Sequence, residues 1–267
     1  MVALKGQVAI VTGGGRGFGR AIAQRFAAEG AKVVVTARTL KQLEETVHII
    51  RSSGGEALGV AGDVASREDV ANAVRAAEDR FGPVSLLVSN AGISGPFRPI
   101  WNVDPDLWWE AQMVHVRGLL LYCCTVLPGM VERKAGRIIV VSSLASQIIE
   151  KNFSAYAVSK ATQVRFVEHL AQEVKEFGIS AFAIEPGTVH TDLAVGAINN
   201  PDARRWRPGM AEMLETLRDT TNPAEGLAKC ANLCCRLASG ECDLLSGQYM
   251  DVREDLDEKL RKQTAQA

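Results

Sequence analysis

The sequence predicts an α/β protein built on one doubly wound parallel sheet of about seven strands, with helices on both faces. Three observations predict it. Short β-branched runs alternate with longer helical patterns along most of the 267 residues, the rhythm of strand–helix–strand crossovers. Several of those runs, VVV and IIVV among them, are apolar without alternation, as strands covered on both faces must be. The chain has the length of one large domain that buries most of its apolar surface, and no linker, repeat or low-complexity tract divides residues 1–267.

The strands are expected at residues 8–11, 32–36, 57–60, 85–89, 137–141, 180–184 and 248–251. Helical patterns fill residues 18–29, 40–52, 67–81, 104–130, 154–177 and 223–237. The first apolar run is too short to span a membrane and lacks the basic start and cleavage site of an export signal, so a cytoplasmic protein is expected. Residues 191–221 break the alternation with the polar run Asn199-Asn200-Pro201-Asp202 followed by Trp206. Long insertions of this kind are often lids, and a substrate lid is expected here, a peripheral helical insertion being the alternative. The acid- and lysine-rich tail after Asp251 reads as a solvated or interface-covering end.

Composition narrows the function. A hydrophobic share of 47%, a charged share of 23% and a net charge of −1 argue against a nucleic-acid or membrane-surface partner held by bulk electrostatics. Cys123, Cys124, Cys230, Cys234, Cys235 and Cys242 form no CxxC pair or Cys/His zinc spacing, so buried thiols and no metal are expected.

The chemistry begins after the first strand, at Thr12-Gly13-Gly14-Gly15-Arg16-Gly17-Phe18-Gly19, which runs into the helical AIAQRFAAEG. Glycines let the chain turn off a strand end and let a phosphate meet bare backbone, while the free amides of the helix face the anion. In this strand–loop–helix context the loop reads as a dinucleotide site of Rossmann type.

The TGxxxGxG spacing resembles the short-chain dehydrogenase/reductase superfamily. Further landmarks follow in order: Asp63-Val64, Asn90-Ala91-Gly92, Ser143, Tyr156-Ala-Val-Ser-Lys160 and Pro186-Gly187. The resemblance implies that Asp63 contacts the adenine, that the Asn90 turn lies beside the ribose, and that Val189 to Thr191 meet the nicotinamide carboxamide. It also implies a homotetramer or homodimer, with the long helices carrying His115 and Tyr156 as interface surfaces.

The second strand runs into Thr36-Ala37-Arg38. An NAD site wants a carboxylate at that strand end. Here Ala37 takes the position, with Arg38 beside it and Arg16 in the glycine loop, two cations suited to a 2′-phosphate. NADP(H) is therefore the expected cofactor, solvated surface arginines being the alternative.

Tyr156 and Lys160 are four apart on a helical pattern and share one face. Ser143 lies just past the strand RIIVV and thirteen residues before Tyr156, a spacing that favours it over the competitor Ser142. Reducing a carbonyl by hydride leaves an alkoxide that needs a proton donor and an oxyanion partner. A phenol with its ordinary pKa near 10 is a poor base at neutral pH, and a lysine ammonium nearby favours its phenolate. By resemblance, Lys160 also holds the nicotinamide ribose, and Ser143 hydrogen-bonds the substrate oxygen.

His115 stands where the family carries an asparagine that holds a water relaying protons from the lysine. Three readings are open: a working substitute that titrates near neutrality, a helix-packing residue with the water held by backbone, and altered chemistry. His48 and His169 read as helix-surface or packing residues, and His190 as either a substrate-mouth or a solvated loop residue.

The expected activity is NADP(H)-dependent interconversion of a small-molecule carbonyl and alcohol, with Tyr156 as the acid/base. A cofactor-retaining epimerase or dehydratase and a non-catalytic NADP(H) binder are the alternatives. Phe97, Trp101, Trp108, Ile148, Phe153, Leu193, Trp206 and Met210 are candidates for the substrate pocket or for plain packing.

Overall fold

Each apolar run becomes a strand within a residue or two of its expected bounds. In the computed structural model, which describes residues 4–265, these are β1 (Val8–Thr12), β2 (Lys32–Ala37), β3 (Glu56–Ala61), β4 (Leu86–Ser89), β5 (Gly136–Val141), β6 (Ile179–Glu185) and β7 (Tyr249–Asp251). All pair in parallel, in the order β3-β2-β1-β4-β5-β6-β7. The order reverses between β1 and β4, and ligands of such sheets bind at the carboxyl ends of the strands beside that reversal.

Period-2 geometry sends alternate residues of each strand to opposite faces. Ala9, Val11, Val33, Val35, Val88 and Ile139 pack beneath α1 (Gly17–Ala28), α2 (Leu40–Ser52) and α10 (Pro223–Ser239). Val8, Ile10, Val34, Leu87, Ile138 and Val140 pack beneath α3 (Arg67–Phe81), α5 (Gly118–Arg133) and α6 (Ser154–Val174). Each fully buried Val, Ile or Leu among these contributes about 1.5–3 kcal/mol by removal from water. Both faces are covered, which explains why the strands read as continuous apolar runs.

The stretch Pro105–Arg133 has the length and hydropathy of a membrane span. Here it is three pieces: α4 (Pro105–Gln112), a π-helical turn Met113–Arg117, and α5. Leu119, Tyr122, Cys123, Val126 and Met130 of α5 are buried against the sheet, so core packing accounts for its apolarity. Gly118 lets α5 close on the segment after β3, since a Cβ there would lie 2.9 Å from Val64 Cγ2. Five of the six thiols are buried. Cys124, expected to be buried with its neighbour, is exposed because consecutive helical residues point in different directions.

The insertion folds as three short helices, α7 (Asp192–Ile198), α8 (Pro201–Trp206) and α9 (Pro208–Thr220). The polar break is a helix start: Asn200 Oδ1 accepts from the amides of Asp202 and Ala203, and Pro201 occupies the first turn. Phe97, Ala194, Ile198, Ala203 and Leu214 form a small third core, with Phe153 and Met210 against it. After β7 the tail closes with α11 (Leu256–Thr264), capped by Asp255 and with Leu256 in the core.

Candidate functional site

One cleft of about 600 Å³ runs across the carboxyl ends of the strands. The glycine loop forms one end. Gly13 has φ +64°, and a Cβ there would meet Asn90 Nδ2 at 2.8 Å and Ala91 Cα at 2.9 Å; one on Gly19 would meet the Gly13 carbonyl at 2.3 Å. Only glycine fits this closely folded backbone. Asn90 stitches it to β4, its Nδ2 donating to the Thr12 carbonyl at 2.8 Å, while Thr12 Oγ1 accepts from the amides of Asn90 and Ala91. The amides at the start of α1 are left facing the cleft with no acidic residue in the first turn, a site suited to a pyrophosphate.

Gly13, Gly15, Arg16, Gly17, Phe18, Arg38, Asp63, Val64, Asn90, Ala91, Gly92, Pro186, Gly187, Val189 and Thr191 all line this cleft. Gly19 lies beneath, supporting the turn. Asp63 is held by its neighbours, its amide donating to Asp69 Oδ2 and its own carboxylate accepting from the Ala65 amide. Arg16 pairs with Asp192 of α7 at 3.0 Å, tying the loop to the insertion. Arg38 is exposed on the same lip and has no side-chain partner among the described residues.

At the other end, Ser143 follows β5 and Tyr156 and Lys160 project from the first turns of α6. Ser142 is buried and donates to the Lys160 carbonyl at 3.1 Å, which leaves Ser143 beside the Tyr156 hydroxyl. Phe153 stacks on Tyr156 with ring centroids 4.8 Å apart, and Phe97 stacks on Phe153 at 5.5 Å. Burial pushes the Tyr156 phenol up to about 12, against a smaller lowering by Ser143. This differs from the expected drop: Lys160 Nζ lies 5.5 Å from the ring centroid, and desolvation of the phenolate sets the direction.

Lys160 is itself buried, which drives it from 10.5 down to about 7, with the Glu185 carboxylate acting in the opposite sense. Its Nζ donates to the Val141 carbonyl at 2.8 Å and to Gln163 Oε1 at 3.2 Å, leaving one N–H uncommitted. The charged form is penalised only in the folded chain. Stability is therefore withheld below about pH 7 and recovered as pH rises toward the unfolded value of 10.5. Buried thiols and phenols with raised pKa values act in the reverse direction above about pH 9. Between roughly pH 7 and 8.5 the cofactor-free protein should gain on the order of 1–2 kcal/mol, a rise in Tm of about 2–6 °C. Lys160→Met should flatten that rise; parallel melting curves for the two proteins would refute the assignment.

His115 sits on the π turn and is 1% exposed. Its Nε2–H donates to the Ile93 carbonyl at 2.7 Å, its ring meets Tyr156 edge-on with centroids 5.5 Å apart, and its Nδ1 is buried without a partner. Burial and the Lys160 charge push it down to about 3, so the imidazole is neutral at physiological pH and does not titrate near neutrality as expected. The connection to Lys160 runs through the backbone instead. The His115 carbonyl accepts from Gln163 Nε2 at 2.9 Å, and Gln163 Oε1 accepts from Lys160. Gln163 thus joins the two groups that the expected water would bridge. It was legible as the residue three past Lys160 on the same helical face.

Glu185, buried at the end of β6, lies outside the sequence expectations, although a carboxylate closing the apolar run SAFAI is its signal. It accepts from the Gly187 amide at 3.2 Å and from the Tyr249 hydroxyl at 3.4 Å. Among the aromatic and apolar candidates, Phe97, Ile148, Phe153, Leu193 and Met210 line the cleft. Trp101 is 83% exposed, Trp108 donates to Ser154 Oγ outside the cleft, and neither Trp206 nor His190 is in its wall. His48 and His169 are exposed on their helices. No cluster of metal-binding side chains occurs among the described residues.

The sheet, the glycine cradle and the Ser–Tyr–Lys end define a dinucleotide-dependent oxidoreductase. The short chain dehydrogenase profile matches residues 7–201, and the chain belongs to that family. A short chain dehydrogenase of Pseudocercospora fijiensis is 36% identical over 95% of this chain and 82% of its own length. The 2-(R)-hydroxypropyl-CoM dehydrogenase of Xanthobacter autotrophicus is 35% identical over 74% of this chain and 80% of its own. Among solved structures, a variant of actinorhodin polyketide ketoreductase with NADPH superimposes with a TM-score of 0.82 at 29% identity, covering 92% of this chain and 95% of that one. A 7α-hydroxysteroid dehydrogenase complexed with NADH and 7-oxo glycochenodeoxycholic acid gives 0.81 at 29% identity, over 94% of each chain. The family uses a nicotinamide dinucleotide to interconvert carbonyls and alcohols, and the glycine cradle here fits such a cofactor.

Proposed function

We propose that this protein is an NADP(H)-dependent carbonyl reductase with Tyr156 as its acid/base. The observation that carries the reading is the convergence of Ser143, Tyr156 and Lys160 at one end of the cleft whose other end is the glycine cradle. A dinucleotide held by the glycine cradle would supply the hydride. Ser143 Oγ donates to the carbonyl oxygen as charge develops there. The Tyr156 hydroxyl, kept protonated by burial, delivers the proton to that oxygen. The uncommitted N–H of Lys160 would hold the ribose, and its charge stabilises the phenolate left behind.

Ala37 and Arg38, which has no side-chain partner among the described residues, support the 2′-phosphate form, and Arg16 would reach it by exchanging its exposed Asp192 pair for the phosphate. A homo-oligomer assembled through α5 and α6 is supported by Leu120 and Val158, both 45% exposed on those helices.

The test is oxidation of NADPH, with NADH in parallel, against a panel of ketones, aldehydes and quinones. Turnover favouring NADPH is expected. Tight NADPH binding with no oxidation, or conversion of substrate without net NADPH use, would turn the reading toward a binder or an epimerase.

A further inference from the structure

The junction between α8 and α9 carries a cation into the lid end of the cleft. Arg207 lines the cleft and its side chain is 9% exposed. Its guanidinium lies 4.1 Å from the centre of the Phe153 ring, which is itself 4.8 Å from that of Tyr156. The sum of those two steps is the greatest distance at which the cation can stand from the Tyr156 ring. One nitrogen, Nη2, pairs with the Glu150 carboxylate, which is 42% exposed and so remains partly hydrated. The other, Nη1, is buried with no acceptor among the described residues.

Guanidinium groups are seldom buried unless their donors are met. Arg207 is held in place by the Phe153 face and by the hydrogen bond from Asn152 Nδ2 to the Trp206 carbonyl, so its free donor is fixed rather than wandering. Burial without a full partner also depresses its pKa. Apart from Glu150, the wall around it is apolar, formed by Ile148, Phe153, Met210 and Leu214. A planar fork with one open arm over an aromatic wall matches a carboxylate attached to an apolar body.

We propose that Arg207 is a substrate-binding residue and that the substrate is a carbonyl compound bearing a carboxylate, its apolar body laid along Phe153 and Ile148. The orientation rests on the preceding assignment of the reacting carbonyl to Tyr156, but the anion site itself does not. It adds specificity where the chemistry of Ser143, Tyr156 and Lys160 has none, because a neutral ketone leaves the Arg207 donor unmet.

Calorimetric titration of 4-phenylbutanoate and its primary amide into the wild type, Arg207→Met and Arg207→Lys tests the site without turnover. The wild type should bind the acid about tenfold or more tightly than the amide, the value of one charge-assisted hydrogen bond. Arg207→Met should bring the ratio to about one with amide binding unchanged, and Arg207→Lys should retain part of it. An acid that binds no better than its amide, or does not bind, overturns the proposal. So does an equal loss of both ligands in Arg207→Met, which would make Arg207 a clamp for the lid. A parallel comparison of an aromatic keto acid with its methyl ester separates the two readings. Carboxylate binding through Arg207 with neither compound reduced would reject the reductase reading and leave the anion site standing.

Discussion

Tyr156→Phe should lower kcat by roughly 10²–10⁴-fold, the span of a positioned general acid, while leaving the fold and cofactor affinity intact. The phenyl ring keeps the stack on Phe153 at 4.8 Å and the edge contact with His115 at 5.5 Å. Only the hydroxyl is lost, and with it the proton that the alkoxide must receive. Because burial holds the phenol near 12, the group is a proton donor throughout the neutral range, which suits reduction. The reverse oxidation needs the phenolate and should accelerate as pH rises. Stopped-flow and steady-state rates with the best panel substrate, beside melting curves, measure both halves of the expectation. A variant retaining more than about a tenth of the wild-type kcat, with proton transfer not masked by a slower step, would remove Tyr156 from the reaction.

The second large effect is expected at Arg38. Arg38→Asp should reverse the NADPH/NADH preference, lowering the ratio of kcat/KM values by on the order of a hundredfold. Loss of one charge-assisted hydrogen bond accounts for about 1.5–3 kcal/mol, and repulsion between the new carboxylate and the 2′-phosphate adds to it. The choice of residue follows from the lip of the cleft. Ala37 offers no carboxylate, Arg16 is engaged by Asp192, and Arg38 alone of the two arginines stands without a partner among the described residues. An unchanged ratio would place cofactor discrimination elsewhere. A change in KM for NADPH with kcat preserved is the expected pattern, since the ribose phosphate is remote from the reacting atoms.

Local chemistry made much of this legible. The glycine loop, the turn at Asn90 and the pair Tyr156–Lys160 each depend on residue type and short spacing, so they survive reading in one dimension. Ser143 could be preferred over Ser142 by spacing, and the structure adds that Ser142 is occupied by the Lys160 carbonyl. What could not be read depended on distance in the fold. Arg16 meets Asp192, 176 residues away, and Gln163, legible beside Lys160 on one helical face, finds its other partner only in the His115 carbonyl of another helix. Arg207 is one of several arginines in ARRWRPG, and nothing in that run distinguishes the one that turns inward.

The sequence by itself determined the strand–helix alternation, the parallel sheet and the cradle, because backbone geometry and periodic burial are local constraints repeated along the chain. Tertiary structure alone decided the electrical state of the site. It made His115 neutral, raised Tyr156 and lowered Lys160, since desolvation is set by everything that packs around a group and not by its neighbours in sequence.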